Sequence, residues 1–181
     1  MYGMIHQAAR AMALEVLGEE SWRAIQERCG LDDEYFISGR HYSDEVTLAL
    51  IGAATEVSGM KLDALLEALG RYWIDYAAKS PYGAMFEMAG DTLDEFLESL
   101  DSMHASIKST MPEASMPTFE VVAVEDSRID VLYASERTGL SSFVVGLLEG
   151  LMDRFDEVGE VTARADANGV LFSITRQQRA A

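Results

Sequence analysis

Residues 117–137 read PTFEVVAVEDSRIDVLYASER, and this stretch decides the fold class. Its two β-branched runs predict a hairpin, with strands at 118–124 and 129–135 and a turn at 125–127. A hairpin that follows a long helical region and is itself followed by further elements predicts an α+β protein with an antiparallel sheet.

The second predicted strand carries three donor side chains near its end. Side chains two positions apart in a strand share a face, so Tyr133, Ser135 and Arg137 are predicted to stand in a row. Two hydroxyls and one guanidinium in a row suit an anion. Taken alone, such a triplet is more commonly an exposed strand face, so the pattern needs a second observation beside it.

The chain before this hairpin is predicted to be helical, because its apolar residues recur at helical spacing. The predicted helices cover 5–17, 20–29, 43–57, 60–78 and 92–111, with breaks at Gly18, Gly30 and Ser80-Pro81. After the hairpin, residues 140–155 are predicted to be helical. A second hairpin is predicted over 160–176, with its turn at Asn168-Gly169.

These elements predict one α+β domain over residues 1–181. A helical N-terminal part (about 1–111) is expected to pack on a C-terminal antiparallel sheet with an inserted helix (about 112–181). No repeat or low-complexity linker separates the two parts, so we expect them to share a core.

The formal net charge of −17 argues against nucleic acid and anionic membranes as main partners. The single cysteine, Cys29, cannot form an internal disulfide, which is typical of a reducing compartment. No apolar run reaches the roughly 18 residues of a membrane span, and the N-terminus does not read as a signal peptide. A cytoplasmic location without membrane insertion is expected.

His104 lies on the apolar stripe of the predicted helix 92–111. A lone histidine on such a stripe is usually a core residue. The other candidate ligands, His6, His41 and Cys29, do not have the spacing of a metal site with it. If His104 binds a metal, one protein ligand must suffice. Haem allows this, because the porphyrin supplies four nitrogens and its propionates would suit the donor row described above.

Together these residues resemble the haem–nitric oxide/oxygen-binding (H-NOX) domains, which are related to the haem domain of soluble guanylate cyclase. The N-terminal MYGMI is similar to the family's start, and His104 stands where the family has its proximal haem ligand. Met116-Pro117 is similar to the proline that follows that ligand. Tyr133, Ser135 and Arg137 match the family's Y-x-S-x-R propionate motif in order and spacing.

The resemblance implies haem b, buried between the helical part and the sheet, with His104 on the iron. The residues that it implies around the porphyrin are Tyr133, Ser135 and Arg137 on the propionates and Pro117, Ile5, Met103 and Leu100 against the ring.

The opposite, distal face of the haem is expected to be apolar. Oxygen-binding relatives carry a distal tyrosine at a position near Ser142, and no tyrosine occurs between Thr138 and Gly150. The expected distal lining is Ala9, Ile74, Ser142, Val145 and Leu148. This favours nitric oxide as the ligand, with carbon monoxide as a further one. The hydroxyl of Ser142 leaves oxygen binding open as an alternative.

The resemblance further implies a gas sensor and not an enzyme. In relatives of this kind, nitric oxide weakens the iron–histidine bond, and release or shift of the His104 helix signals to a partner. A separate partner is expected, such as a histidine kinase or a cyclic-di-GMP enzyme, because the chain ends soon after the second hairpin. The alternatives are an oxygen-binding haem protein, a haem-dependent enzyme, and a haem-free ligand-binding module of similar topology.

Overall fold

The structure, a computed structural model, describes residues 1–31, 36–110 and 115–177. Its helices and strands, in chain order, are α1 (Gly3–Cys29), α2 (Asp44–Ser58), α3 (Leu62–Ala78), α4 (Gly83–Met88), α5 (Leu93–Thr110), β1 (Thr118–Glu125), β2 (Arg128–Ala134), α6 (Ser141–Arg154), β3 (Gly159–Asp166) and β4 (Gly169–Arg176). The predicted α+β class is confirmed. Among the described helices, none combines the length and the apolar character that crossing a bilayer requires.

The helical part follows the sequence pattern and adds one short helix. The break predicted at Gly18 is confirmed, since this residue has φ +84° and interrupts α1. The short helix α4 was not predicted, because six residues are too few to show a helical period. Position 111, the predicted last residue of the helix that carries His104, lies outside the described residues.

The four strands form one antiparallel sheet in the order β1-β2-β4-β3. Along β2, Ile129, Val131 and Tyr133 alternate with more exposed residues and point into the core. The strand runs from Arg128 to Ala134, so the predicted strand was displaced by one residue toward the C-terminus, and Arg137 lies beyond it. The chain turns there because the backbone N–H of Arg137 donates to the hydroxyl oxygen of Ser135 at 3.1 Å.

Two apolar clusters fill the interior of the part of the chain that the structure describes. The smaller one joins α1 and α2 around Trp22 and Ile25. The larger one joins the sheet to α3, α4, α5 and α6, so helices before residue 111 share a core with strands after it. Helices α3 and α6 approach closely at Gly70 and Gly146, where a Cβ atom on Gly146 would overlap the carbonyl oxygen of Glu67.

Candidate functional site

A cavity of about 210 Å³ lies between the helices and the sheet. Its walls come from the start of α1, from α3, α5 and α6, and from β1 and β2. Most of the lining is apolar, and the polar groups that line it include His104 on one wall and Tyr133, Ser135 and Arg137 at one end. This combination of an apolar body and few polar groups is typical of a small-molecule or cofactor site.

His104 lies in the exposed second half of α5 and is half-buried against the cavity. Its Nδ1 atom lies 3.2 Å from the carbonyl oxygen of Pro117. A carbonyl can only accept, so Nδ1 carries the proton and Nε2 keeps its lone pair. Burial lowers the pKa of His104, against the smaller opposing effect of the Pro117 carbonyl, so the ring is neutral at neutral pH.

The donor set at His104 fits a haem ligand. Metal-binding histidines commonly donate their second ring nitrogen to a carbonyl or carboxylate, as His104 does to Pro117. Nε2 has no hydrogen-bond partner among the residues that the structure describes. Within the same residues, no group of three or more His, Cys, Asp or Glu side chains could hold a metal. A metal at His104 would therefore need its other ligands from a cofactor.

Tyr133 places a free hydroxyl at the polar end of the cavity. Its side chain is only 6% exposed, and its ring packs against Phe119 and Phe172 with centroid distances of 5.1 and 6.0 Å. In the described part of the chain, no group hydrogen-bonds to this hydroxyl, although Tyr133 lines the cavity. The hydroxyl oxygen is not among the fully buried atoms that lack a partner, so it can donate to an acceptor on a ligand bound in the cavity.

Arg137 lies beside Tyr133 and connects three parts of the chain. Its Nη1 donates to the carbonyl oxygen of Ser115 at 3.1 Å, and its Nε lies 3.4 Å from Oδ1 of Asp44 at the start of α2. This carboxylate partly neutralises the guanidinium and orients it. Together with the N-terminal ammonium, which is the larger influence, Arg137 lowers the pKa of Asp44. The arrangement leaves a cationic end that suits carboxylates of a bound ligand.

The structure brings together all of the residues predicted to contact a porphyrin. The cavity is lined by His104, Tyr133, Ser135, Arg137, Pro117, Ile5, Met103 and Leu100. Ser135 and Arg137 reach it from the turn after β2 rather than from the strand itself. A flat apolar cofactor with two carboxylates and a metal that accepts a histidine nitrogen would match this set of residues in kind.

The cavity includes only part of the predicted distal lining. Ile74 and Leu148 line the cavity, whereas Ala9, Ser142 and Val145 do not. The reason is the rotation of α6: its cavity face consists of Phe143, Val144, Leu147, Leu148 and Leu151, which recur at helical spacing. Ser142 and Val145 lie outside this face. The spacing of the apolar residues in α6 could have indicated this from the sequence.

Ala9 lies near the cavity but lines a smaller neighbouring one. Most of the other lining residues were not predicted from the sequence, and among them Trp73 and Tyr82 carry hydrogen-bond donor groups. Trp73 is adjacent to Ile74 on α3. No sequence signal separates a cavity-lining tryptophan from one that only packs.

Comparisons with known proteins identify the family and the fold. The profile of a family described as Haem-NO-binding (HNOB) matches residues 2–163. Soluble guanylate cyclase 89Db of Drosophila melanogaster is 24% identical over 155 residues, which cover 86% of this chain and 23% of that protein. The chain thus spans less than a quarter of this relative's length.

Solved structures show the same fold at low identity. A mutant H-NOX protein from S. oneidensis in the Fe(II) ligation state superposes with a TM-score of 0.88 and is 18% identical, covering 99% of this chain and 98% of that one. The Fe(II)NO state of an H-NOX protein from S. oneidensis gives 0.86 and 18%, covering 98% and 100%. The match of the family profile over most of the chain shows that this protein belongs to the haem-NO-binding, or H-NOX, family.

Proposed function

We propose that residues 1–181 act as a single haem domain that senses nitric oxide. The observation that carries the proposal is His104, a neutral imidazole with Nδ1 on the Pro117 carbonyl and Nε2 free on the wall of an apolar cavity. When bound, haem b would supply the iron to which the gas binds, and Nε2 of His104 would hold that iron. Tyr133, Ser135 and Arg137 would hold its propionates.

The choice of gas rests on the residues that α1, α3 and α6 contribute to the cavity. Ile5, Ile74, Phe143 and Leu148 present no hydrogen-bond donor from their side chains. Bound oxygen is polar and is stabilised by a donor, whereas nitric oxide does not need one. We therefore propose nitric oxide as the physiological ligand, with carbon monoxide also binding.

Oxygen binding is the second candidate, and one observation favours it. Trp73 and Tyr82 also line the cavity, and each carries a donor group with no hydrogen-bond partner in the described ranges. An indole N–H or a phenol O–H turned toward the gas would stabilise oxygen. A spectrum recorded in air separates this candidate from the first.

Helix α5 is built to pass a change at His104 to the rest of the protein. Its first half is held in the core by Leu93, Phe96 and Leu97, all at most 1% exposed. Its second half is exposed on most sides. Two polar contacts connect that half to β1 and to the residues just before β1. Nδ1 of His104 donates to the carbonyl oxygen of Pro117, and the backbone N–H of Phe119 donates to Oδ1 of Asp101 at 2.8 Å.

A restraint gained or lost at His104 would therefore move the second half of α5 against β1 while the first half stays in place. Ligand binding that favours one of the two positions would shift the population toward it. We propose that a separate signalling protein, such as a histidine kinase or a cyclic-di-GMP enzyme, reads this shift, and that the domain itself is not an enzyme. The net charge of −17 favours a partner with a basic surface.

The test is the absorption spectrum of the purified, reduced protein under argon, in air and with nitric oxide. We expect a haem spectrum that changes with nitric oxide and barely changes in air. His104→Gly should lose the histidine-ligated form, and added imidazole should restore it. The matched control is His41→Gly, at an exposed histidine outside the cavity, which should leave the spectrum unchanged. Colourless protein that takes up no added haemin would refute the proposal.

A further inference from the structure

Methionine recurs on the wall of the candidate haem cavity, where it comes from several separate parts of the chain. The methionines that line the cavity are Met1, Met4, Met85, Met103 and Met116. Each of them is half-buried, so part of each residue stays accessible to solvent. A methionine thioether is readily oxidised where a small oxidant can reach it. The cavity wall therefore carries groups whose polarity an oxidant can change.

Met116 stands between two backbone groups that hold the polar parts of the site. On one side, the carbonyl oxygen of Ser115 accepts a hydrogen bond of 3.1 Å from Nη1 of Arg137. On the other side, the carbonyl oxygen of Pro117 lies 3.2 Å from Nδ1 of His104 and accepts its proton. A displacement of Met116 from the cavity wall would therefore disturb the guanidinium and the imidazole together.

Hydrogen peroxide converts a thioether into a sulfoxide in one two-electron step. The O–O bond of the peroxide breaks, one oxygen forms an S=O bond, and the other leaves as water with both hydrogens. The sulfur is oxidised by two electrons and the peroxide is reduced by two. A sulfoxide reductase, supplied with a dithiol, reverses the change, so the modification is not permanent.

A sulfoxide at Met116 would not suit the cavity wall. The thioether is only a weak acceptor, whereas the sulfoxide is polar. Most of the lining of the cavity is apolar. Because a polar group placed there without a donor costs free energy, the oxidised side chain would favour solvent. Its movement would draw the carbonyl groups of Ser115 and Pro117 away from their partners.

Two other methionines provide internal references for this effect. Met88 of α4 is 87% exposed and does not line the cavity, so its sulfoxide would stay in water without disturbing the site. Met152 of α6 is 4% exposed and belongs to the larger apolar cluster, so an oxidant in solution reaches it least. Oxidation at Met116 can therefore be separated from oxidation elsewhere in the same protein.

We propose that Met116 is a site of reversible oxidation, at which peroxide weakens the hold of the protein on its cofactor. The proposal rests on the proposed haem-based function. With the thioether reduced, the carbonyl groups of Ser115 and Pro117 keep Arg137 and His104 in place. With the sulfoxide formed, both contacts loosen and haem leaves faster, so the gas response stays lost until the sulfoxide is reduced.

The first test imitates the two oxidation states in the haem-loaded protein. Met116→Gln brings a polar side chain of similar length, and Met116→Leu keeps an apolar one without sulfur. We expect Met116→Gln to release haem to apomyoglobin roughly tenfold faster than the parent, because a polar group is buried without a partner. Met116→Leu and the matched control Met88→Gln should release it at the parent's rate. Parent-like release from a folded Met116→Gln protein would overturn the proposal.

The second test uses peroxide itself on the haem-loaded parent and on Met116→Leu. Peptide mass spectrometry should find added oxygen on Met116 and Met88 of the parent and almost none on Met152. Haem release should then speed up in the parent and not in Met116→Leu, whose haem has met the same peroxide. A sulfoxide reductase with dithiothreitol should restore slow release. Equal acceleration in the two proteins, or an unmodified Met116 beside an oxidised Met88, would overturn the proposal.

Failure of the haem function has a different signature. A parent protein that takes up no haemin would refute that function whichever methionine is oxidised. In this haem-free protein, peroxide should still lower the free energy of unfolding of the parent and leave that of Met116→Leu unchanged, because the contacts of Ser115 and Pro117 are made within the chain. An equal loss of stability in both proteins would overturn the assignment of the site to Met116.

Discussion

The hydroxyl of Ser142 donates a hydrogen bond of 2.9 Å to Oδ1 of Asp63. Ser142 therefore faces the start of α3, whereas its neighbour Phe143 lines the candidate haem cavity. This relationship removes the hydroxyl that left oxygen binding open on sequence grounds. It also identifies Phe143 as the position on α6 from which a hydrogen-bond donor could reach a ligand in the cavity.

We expect Phe143→Tyr to convert the domain into one that responds to oxygen. The substitution adds one hydroxyl to a side chain that already lines the cavity. The reduced variant should show a reversible spectral change when air replaces argon. Ser142→Tyr is the control, because its side chain starts from the face directed at Asp63 and should give no such change. A response in the control and not in Phe143→Tyr would contradict this rotation of α6.

Loss of Arg137 should speed haem release. A hydrogen bond to a charged group contributes about 1.5–3 kcal/mol, so Arg137→Ala is expected to raise the release rate by roughly 10- to 100-fold. Transfer of haem to an excess of apomyoglobin measures this rate. Arg128→Ala is the matched control, since Arg128 pairs with Asp130 on β2 and does not line the cavity.

Arg137→Ala also breaks the contact with Asp44. A second variant therefore tests the polar end of the cavity without changing that contact. Tyr133→Phe keeps the ring that packs on Phe119 and Phe172 and removes only the hydroxyl. Haem release should speed up in this variant too, by a smaller factor. Parent-like release in both Arg137→Ala and Tyr133→Phe would show that the polar end of the cavity does not hold the propionates.

Close packing of α3 on α6 should make Gly146 intolerant of any side chain. A Cβ atom there would meet the backbone carbonyl of Glu67, and backbone cannot yield as a flexible side chain would. Gly146→Ala is expected to lower the free energy of unfolding by about 1–3 kcal/mol in urea titrations. Gly52→Ala is the control, because Gly52 lies in α2 with open space around it and should gain about 0.5–1 kcal/mol. Equal effects of the two substitutions would contradict this packing.

His6 should make the protein less stable as the pH falls below neutral. Burial lowers the pKa of His6 to about 4 in the folded state, below the 6.5 of an exposed histidine. Between these values the unfolded chain binds the extra proton, so the free energy of unfolding falls with falling pH. The total loss on reaching pH 4 is about 3 kcal/mol, at about 1.4 kcal/mol per pKa unit.

The measurement is the slope of unfolding free energy against pH between 7 and 4.5. His6→Gln should flatten this slope whatever its absolute stability. A slope that survives in His6→Gln would assign the pH dependence to other groups.

Much of the candidate site was predictable because its residues are marked by local spacing. Tyr133, Ser135 and Arg137 are close in the chain, and His104 stands on a helix whose apolar stripe is plain in the sequence. The structure places all four on one cavity. Their predicted roles toward a haem stay predictions, which the spectra and the haem-release rates test.

The sequence by itself determined local features of the helices and strands. Glycines broke the first helices at residues 18 and 30, and alternation of apolar residues set the core face of β2. These features depend on backbone preferences and side-chain periods that act over a few residues.

Tertiary structure decided which residues meet across the cavity. The contact of Arg137 with Asp44 joins residues 93 positions apart, and the exclusion of Ser142 depends on how α6 is rotated against α3. That rotation follows from close backbone contact at Gly70 and Gly146. A rotation of this kind depends on long-range packing, because a helix with several apolar residues can bury more than one of its faces until its neighbour is in place.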